Sequence, residues 1–354
     1  MKKTSKIMSL VLAGAMVLSM TACAGNTAET TSAAAKSQET EADTASKAEE
    51  TTGAEASDSE TAAKAEGTTY KIGVLQLVQH TALDAANDGF IAALDDAGIA
   101  YEVDQQNASG DQSACQTVAS KFANEKKDLI LAIATPAAQA MVGAVEDTPV
   151  LITAVTDPAE SGLVDTNEKP GANVTGTSDL TPVKEQIDLL KQLVPEAKTV
   201  GVLYCSAESN SKIQADMAKE AIAAAGMESK EYTVSSSNEI QTVVQSMVGA
   251  VDAVYAPTDN VIAAGMATVG MVAGDNNLPV ICGEAGMVQN GGLATYGIDY
   301  YQLGYMTGQQ AVKILTEGAS PADMPIEYLP AEKCELTVNE ETAQTLGIDV
   351  SGLK

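Results

Sequence analysis

Four carboxylates stand where buried apolar runs of the chain end: Asp157, Glu208, Asp259 and Asp299. A carboxylate in such a place accepts hydrogen bonds from a cationic group, or it caps the following helix or holds a chain crossing. Asp259 follows its run directly and Asp299 sits in a late Gly-Ile-Asp segment, so these two are the first expected ligand contacts, with Asp157 and Glu208 beside them. Hydroxyls supply the opposite polarity. Thr135 precedes Pro136, a residue suited to the first helical position, with free N–H groups behind it. Ser206 to Ser211 repeat that arrangement further on. Thr135 serves equally as a helix cap, and the two roles coexist. His80 is the single histidine. Alone it cannot build a triad whose other members are missing; it lines a cleft, or it is a loop residue with no ligand role. Gln76 at the end of the first run has the same two readings, and Tyr204 is the expected aromatic wall. These groups hold ions and dipoles. No nucleophile elbow, metal-spaced His cluster or phosphate loop accompanies them, so neither an enzyme nor a bound cofactor is expected.

Composition narrows the chemistry further. The net charge is −28, and all 20 basic residues are lysines. Such a surface repels phosphate backbones, which argues against a nucleic-acid partner. Without a guanidinium fork, an anion must be held by lysine, hydroxyls or backbone N–H groups. Trp is absent, and Phe90 and Phe122 both fall in helical patterns and are assigned to the core, which disfavours a ring-stacking sugar site.

The N-terminus carries Lys2, Lys3 and Lys6, an apolar run from Ile7 to Met20, and then Thr21-Ala22-Cys23. That is an export signal whose small residues precede a Cys, in the manner of a lipobox: cleavage before Cys23 and a lipid on its thiol. The alternative is an ordinary signal peptide with a chance cysteine. From Ala24 to about Gly67 the chain is almost entirely Ala, Ser, Thr, Glu, Asp and Lys, which cannot bury enough apolar surface to order itself, and reads as an acidic tether. Cys115, Cys205, Cys282 and Cys334 lack metal spacing; they are read as small buried hydrophobes, or as pairs in an exported protein.

The elements that must position these groups alternate strictly after Gly67. Strands are expected at Lys71–Val78, about Tyr101–Gln106, Asp128–Ala134 and Pro149–Val155. Between them lie helices at Thr81–Ala97, closed by Gly98, at Asp111–Lys127, and from Pro136. Such alternation means parallel strands with right-handed crossovers. The unit then repeats. Ile72-Gly73-Val74-Leu75 matches Val200-Gly201-Val202-Leu203, Ala97-Gly98 matches Ala225-Gly226, and Pro149-Val150 matches Pro279-Val280. The fold class is therefore α/β: two similar doubly wound parallel-sheet lobes, with a hinge near Val174–Leu180 and Gly297–Leu303 and a cleft between them. The expected domains are a signal peptide and lipobox (1–23), the tether (24–67), an N-terminal lobe (68–176), a C-terminal lobe (177–298) and a return segment that completes both (299–354).

Several runs carry a family resemblance. In the first lobe they are Ile72-Gly73-Val74-Leu75-Gln76 with His80, Asn107-Ala108-Ser109-Gly110-Asp111-Gln112, Ala134-Thr135-Pro136-Ala137-Ala138-Gln139, Thr156-Asp157-Pro158, and Asn173-Val174-Thr175-Gly176 with Ser178-Asp179. In the second they are Glu208-Ser209-Asn210-Ser211, Pro257-Thr258-Asp259-Asn260 and Gly291-Gly292-Leu293-Ala294. From about Tyr70 onward the chain resembles the ABC-importer substrate-binding lipoproteins that include tryptophan- and tyrosine-binding members, on the periplasmic-binding protein type I fold. The resemblance implies a monomeric, membrane-anchored capture protein outside the cytoplasm, an ABC permease as partner, and an amino acid, often aromatic, as ligand. Its motifs add Ala137, Thr156, Asn210, Ser211 and Thr258 to the expected contacts. The competing readings are a sensor or adhesin lipoprotein on the same fold and, behind it, an exported enzyme.

Overall fold

The computed structural model describes residues 67–353. Its first part contains β1 (Tyr70–Gln76), α1 (Thr81–Asp96), β2 (Tyr101–Asn107), α2 (Gln112–Glu125), β3 (Leu129–Ile133), α3 (Thr135–Val142), β4 (Val150–Val155) and β5 (Val174–Ser178). The second holds α4 (Val183–Leu193), β6 (Thr199–Cys205), α5 (Ser209–Ala224), β7 (Glu228–Val234), α6 (Ile240–Met247), β8 (Ala253–Ala256), α7 (Asn260–Ala264), α8 (Met266–Asp275), β9 (Val280–Cys282), α9 (Ala285–Gln289) and β10 (Ala294–Gly297). A final segment supplies α10 (Tyr300–Glu317), β11 (Glu327–Tyr328), β12 (Glu335–Val338) and α11 (Glu340–Leu346).

Two six-stranded sheets result, ordered β11-β5-β4-β3-β1-β2 and β12-β10-β9-β8-β6-β7. The orders match strand for strand, as the internal repeat requires. All pairings are parallel except that of β10 with β12. Strands β3, β4 and β8 are buried along their whole length, because helices cover both faces of a parallel sheet. Apolar side chains on both faces of each sheet form the cores; Phe90 and Phe122 are fully buried in the first. The four cysteines among the described residues are free, with Cys115, Cys205 and Cys282 buried and Cys334 partly so.

Strands β5 and β10 each stay within their own sheet, so the chain crosses between halves in the short turns that follow them, and a third time between β11 and β12. After the second crossing α10 returns to lie against α1 at very close range. A Cβ on Gly304 would run into the carbonyl of Ala86, and one on Gly89 into that of Tyr301, so only glycine permits this approach. The contact has a consequence for function: α1 and α10 begin beside the same cavity, and their packing fixes those beginnings relative to each other.

Candidate functional site

The carboxyl ends of strands from both sheets converge on a narrow cavity of about 10 Å³. Its lining is His80, Leu83, Ala154, Asp179, Asn210, Thr258, Asp259, Asn260, Ala263, Glu284 and Tyr300. Beside it runs a wider groove of about 610 Å³, bordered by Ser109, Asp111, Pro136, Glu208, Ser236 and Asn260 among others.

Three buried carboxylates line the cavity. Asp259, the N-cap of α7, accepts from the backbone N–H groups of Cys205 (2.6 Å) and Ile262 (2.8 Å). Glu284, the N-cap of α9, accepts from the N–H groups of Gly286 and, at 2.7 Å, Met287. Asp179, in the turn after β5, accepts from the Tyr300 hydroxyl at 2.7 Å, and its other oxygen has no partner. Burial raises all three above the usual carboxylate range, Asp179 to about 6 and Glu284 to about 7, against the opposing pull of those hydrogen bonds. Among the described residues, no lysine lines the cavity.

A hydrogen-bonded line crosses from one half to the other. His80 Nε2 lies 3.3 Å from Asn260 Oδ1, and the Asn260 amide donates to Glu208 Oε2 at 2.5 Å. That donation leaves Asn260 Oδ1 facing the ring as an acceptor. The network therefore assigns the proton to Nε2 and leaves His80 Nδ1 a bare acceptor, buried without a partner. Burial lowers the His80 pKa, which keeps the ring neutral. Glu208 sits behind this line rather than in it, receiving the N–H groups of Asn260 and Val261 and the Asn210 amide. Burial and the charge of Asp259 raise it to about 8. Asn210 also faces the cavity, with its Oδ1 unpartnered.

The backbone is strained at the same place. Ala154 at the end of β4 has φ 54°, where the register with β5 shifts, and Ala134 before α3 has φ 83°. Both are left-handed conformations that a Cβ disfavours, and such strain gathers at functional sites.

Of the expected contacts, His80, Asn210, Thr258 and Asp259 line the cavity. Ser211 is fully buried behind them, its hydroxyl bonded to Asp259. Thr156 and Thr258 both accept from Gln214 Nε2, the former at 3.0 Å, which ties α5 to the loop after β4. Thr135 and Ala137 are buried at the head of α3, and the Thr135 hydroxyl has no partner; Pro136 faces the wider groove. Four residues point elsewhere. Gln76 donates to Val78 O and Asp84 Oδ1, and Tyr204 donates to Glu231 at 3.0 Å from within the second core. Asp157 caps its own turn through the N–H groups of Ala159 and Glu160. Asp299 is exposed and caps α10 through Gln302 N at 3.1 Å. Ser206 is also exposed. Cys23 lies outside the described residues.

Asp179, Glu284, Tyr300, Leu83, Ala154, Asn260 and Ala263 complete the lining without having been expected there. The internal repeat held a signal for two of them. Ala154 and Glu284 each stand five residues after the matching Pro149 and Pro279.

Two open α/β sheets with a polar cavity at their strand ends define a solute-binding protein of the periplasmic-binding type I fold. The chain belongs to the ABC transporter substrate-binding protein family, whose model matches residues 71–352. It is 41% identical to a tyrosine-binding protein of Clostridioides difficile (strain R20291) over 351 residues, covering 98% of this chain and 93% of that one. Among solved structures it resembles an ABC domain from Streptococcus pneumonia in complex with L-Trp (TM-score 0.77, 40% identity, 80% of this chain and 96% of that one). It also resembles the ligand-free, open structure of a substrate-binding protein with adhesive properties from Clostridium difficile (TM-score 0.62, 46% identity, 81% and 97% covered).

Proposed function

We propose that this protein is the extracytoplasmic solute-binding component of an ABC importer, held to the membrane by a lipid on Cys23, and that it captures an aromatic amino acid between two closing halves for delivery to a permease. One observation carries the ligand reading. Three buried acceptors without partners, His80 Nδ1, Asp179 Oδ1 and Asn210 Oδ1, face a cavity whose charged groups are carboxylates. Three acceptors in an anionic cavity suit the three N–H donors of an ammonium group. Leu83, Ala154, Ala263 and the Tyr300 ring provide apolar wall for a side chain. In a chain without arginine, the ligand's carboxylate falls to hydroxyl and backbone N–H donors.

The relatives support the same class, one being a tyrosine-binding protein and one a complex with L-Trp. Closure is supported by a contrast. This chain superposes better on the tryptophan complex than on the ligand-free open relative, although it is more identical to the latter. The hydrogen bonds that span the halves, from His80 to Asn260 and from Gln214 to Thr156, fit a closed form.

The test is a thermal-shift and calorimetric screen of the purified protein against amino acids, sugars and nucleosides. A ligand bound by the folded state raises the melting temperature in proportion to RT ln(1 + [L]/Kd). A shift with tyrosine, tryptophan or phenylalanine, with the ligand recovered unchanged, is the expected result. Silence for these, with a shift from a sugar or nucleoside, removes the ligand assignment.

A further inference from the structure

The charge of the cavity goes further than the identity of its ligand, and this step rests on the ammonium reading above. The groups that face Asp179 come from every element around it. Tyr300 at the head of α10 donates to one oxygen, and Glu284 at the head of α9 adds a second negative charge nearby. Across the cavity stand Asp259 at the head of α7 and neutral His80 before α1, with Glu208 behind Asp259 and Asp84 behind His80. No cationic side chain lines this space among the described residues.

The carboxylates differ in what their oxygens meet. Both oxygens of Asp259, Glu208 and Glu284 already receive N–H donors, so a proton or a ligand's ammonium arriving there competes with a donor in place. Asp179 alone keeps one oxygen free, and the residue is only 4% exposed. Asp179 is the carboxylate at which a proton, or an ammonium in its place, meets an oxygen with no donor already on it.

We propose that ligand capture is proton-linked: in mildly acidic medium the empty cavity carries a proton on the free oxygen of Asp179, and the ligand's ammonium displaces it to solvent. The exchange balances, a carboxylic acid and an ammonium giving a carboxylate–ammonium pair and one released proton. The window follows from the position of Asp179 near 6. Above about pH 7 Asp179 is already ionised and its share of the pH dependence is flat. Below about pH 6 each further unit costs up to about tenfold in affinity.

Isothermal titration of the purified protein with L-tyrosine and L-tryptophan, from pH 5.0 to 7.5 in buffers of unlike ionisation heat, reads both affinity and proton release. The expectation is about tenfold weaker binding at pH 5.0 than at 7.5, with nearly one proton released per ligand at the acidic end. Asp179→Asn flattens the profile. Tyr300→Phe, which removes a donor that favours the charged form, moves the midpoint to higher pH, and serves if the first variant does not fold. An affinity independent of pH, with no proton released, overturns the linkage and leaves the binding reading intact. Persistence of the full profile in Asp179→Asn transfers it to another group, Glu284 or His80, and also overturns the assignment. Failure of both amino acids to bind at every pH removes the binding reading and the linkage together.

Discussion

The two halves share one topology and differ in chemistry at the same places. His80 and Glu208 stand eight residues after Ile72 and Val200, Thr135 and Asp259 seven after Asp128 and Asp252, and Ala154 and Glu284 five after Pro149 and Pro279. At each pair the first half offers a neutral group and the second a carboxylate. Two identical acidic faces brought together around one small cavity would repel at short range in low dielectric. The pairing of a neutral, strained, partly apolar face with an acidic one lets the halves approach and leaves the anionic charge on one side. Asp179 and Tyr300, from the crossings after β5 and β10, then sit where the faces meet.

The comparison is broken most severely by making the halves alike. Ala154→Glu puts a fourth buried carboxylate against Asp179 and Glu284 at a left-handed position, and should cost about 3–5 kcal/mol, the scale of an uncompensated buried charge, read as a lowered denaturation midpoint. The reverse change tests the acidic side. Asp259→Asn should weaken tyrosine or tryptophan binding by about 2–3 kcal/mol, roughly 30- to 150-fold by calorimetry, because the cavity around the ammonium loses a desolvated negative charge. Asp157→Ala separates capping from binding. Its carboxylate holds only its own loop, so about 1 kcal/mol of stability should go while affinity stays within about twofold. Asp299→Ala should be smaller still, a few tenths to about 1 kcal/mol and no change in affinity, since this exposed residue is a cap of α10. An affinity loss for Asp299→Ala comparable to that for Asp259→Asn would return it to the site and undo the distinction.

Stability against pH sharpens the same contrast without a ligand. Asp179 and Glu284 are raised to about 6 and 7, so the native state binds more protons than the unfolded chain between about pH 4 and 7. Their contribution is present below the unfolded carboxylate range and is lost as pH rises through 6 to 7. The melting temperature of the empty protein should therefore fall across that interval, and bound ligand should reduce the fall. A melting temperature that climbs steadily with pH would mean that these carboxylates are stabilised as ions in the empty protein.

Much of the architecture was legible in the residues because it rests on local pattern. Alternating apolar runs and helical periodicity placed β1 to β4 within a residue or two, and the repeated Gly-Val, Ala-Gly and Pro-Val signatures announced a second sheet of the same order. The site was legible only in part. Asp259, His80, Asn210 and Thr258 were expected and line the cavity, whereas Asp157, Asp299, Gln76 and Tyr204 share their strand-end signature and face elsewhere. An acidic residue between a strand and a helix is favoured for capping whether or not it also meets a ligand, so residue type and position cannot separate the two.

The sequence by itself determined that there would be two like sheets, that ligand groups would come from strand ends, and that any anion would be met without arginine. The tertiary structure decided which strand ends turn inward. Asp179 and Glu284 became part of the cavity because the turn after β5 and the head of α10 meet there, beside the head of α9. That meeting depends on the glycine-permitted approach of α10 to α1, a contact between segments more than two hundred residues apart whose geometry no local pattern encodes.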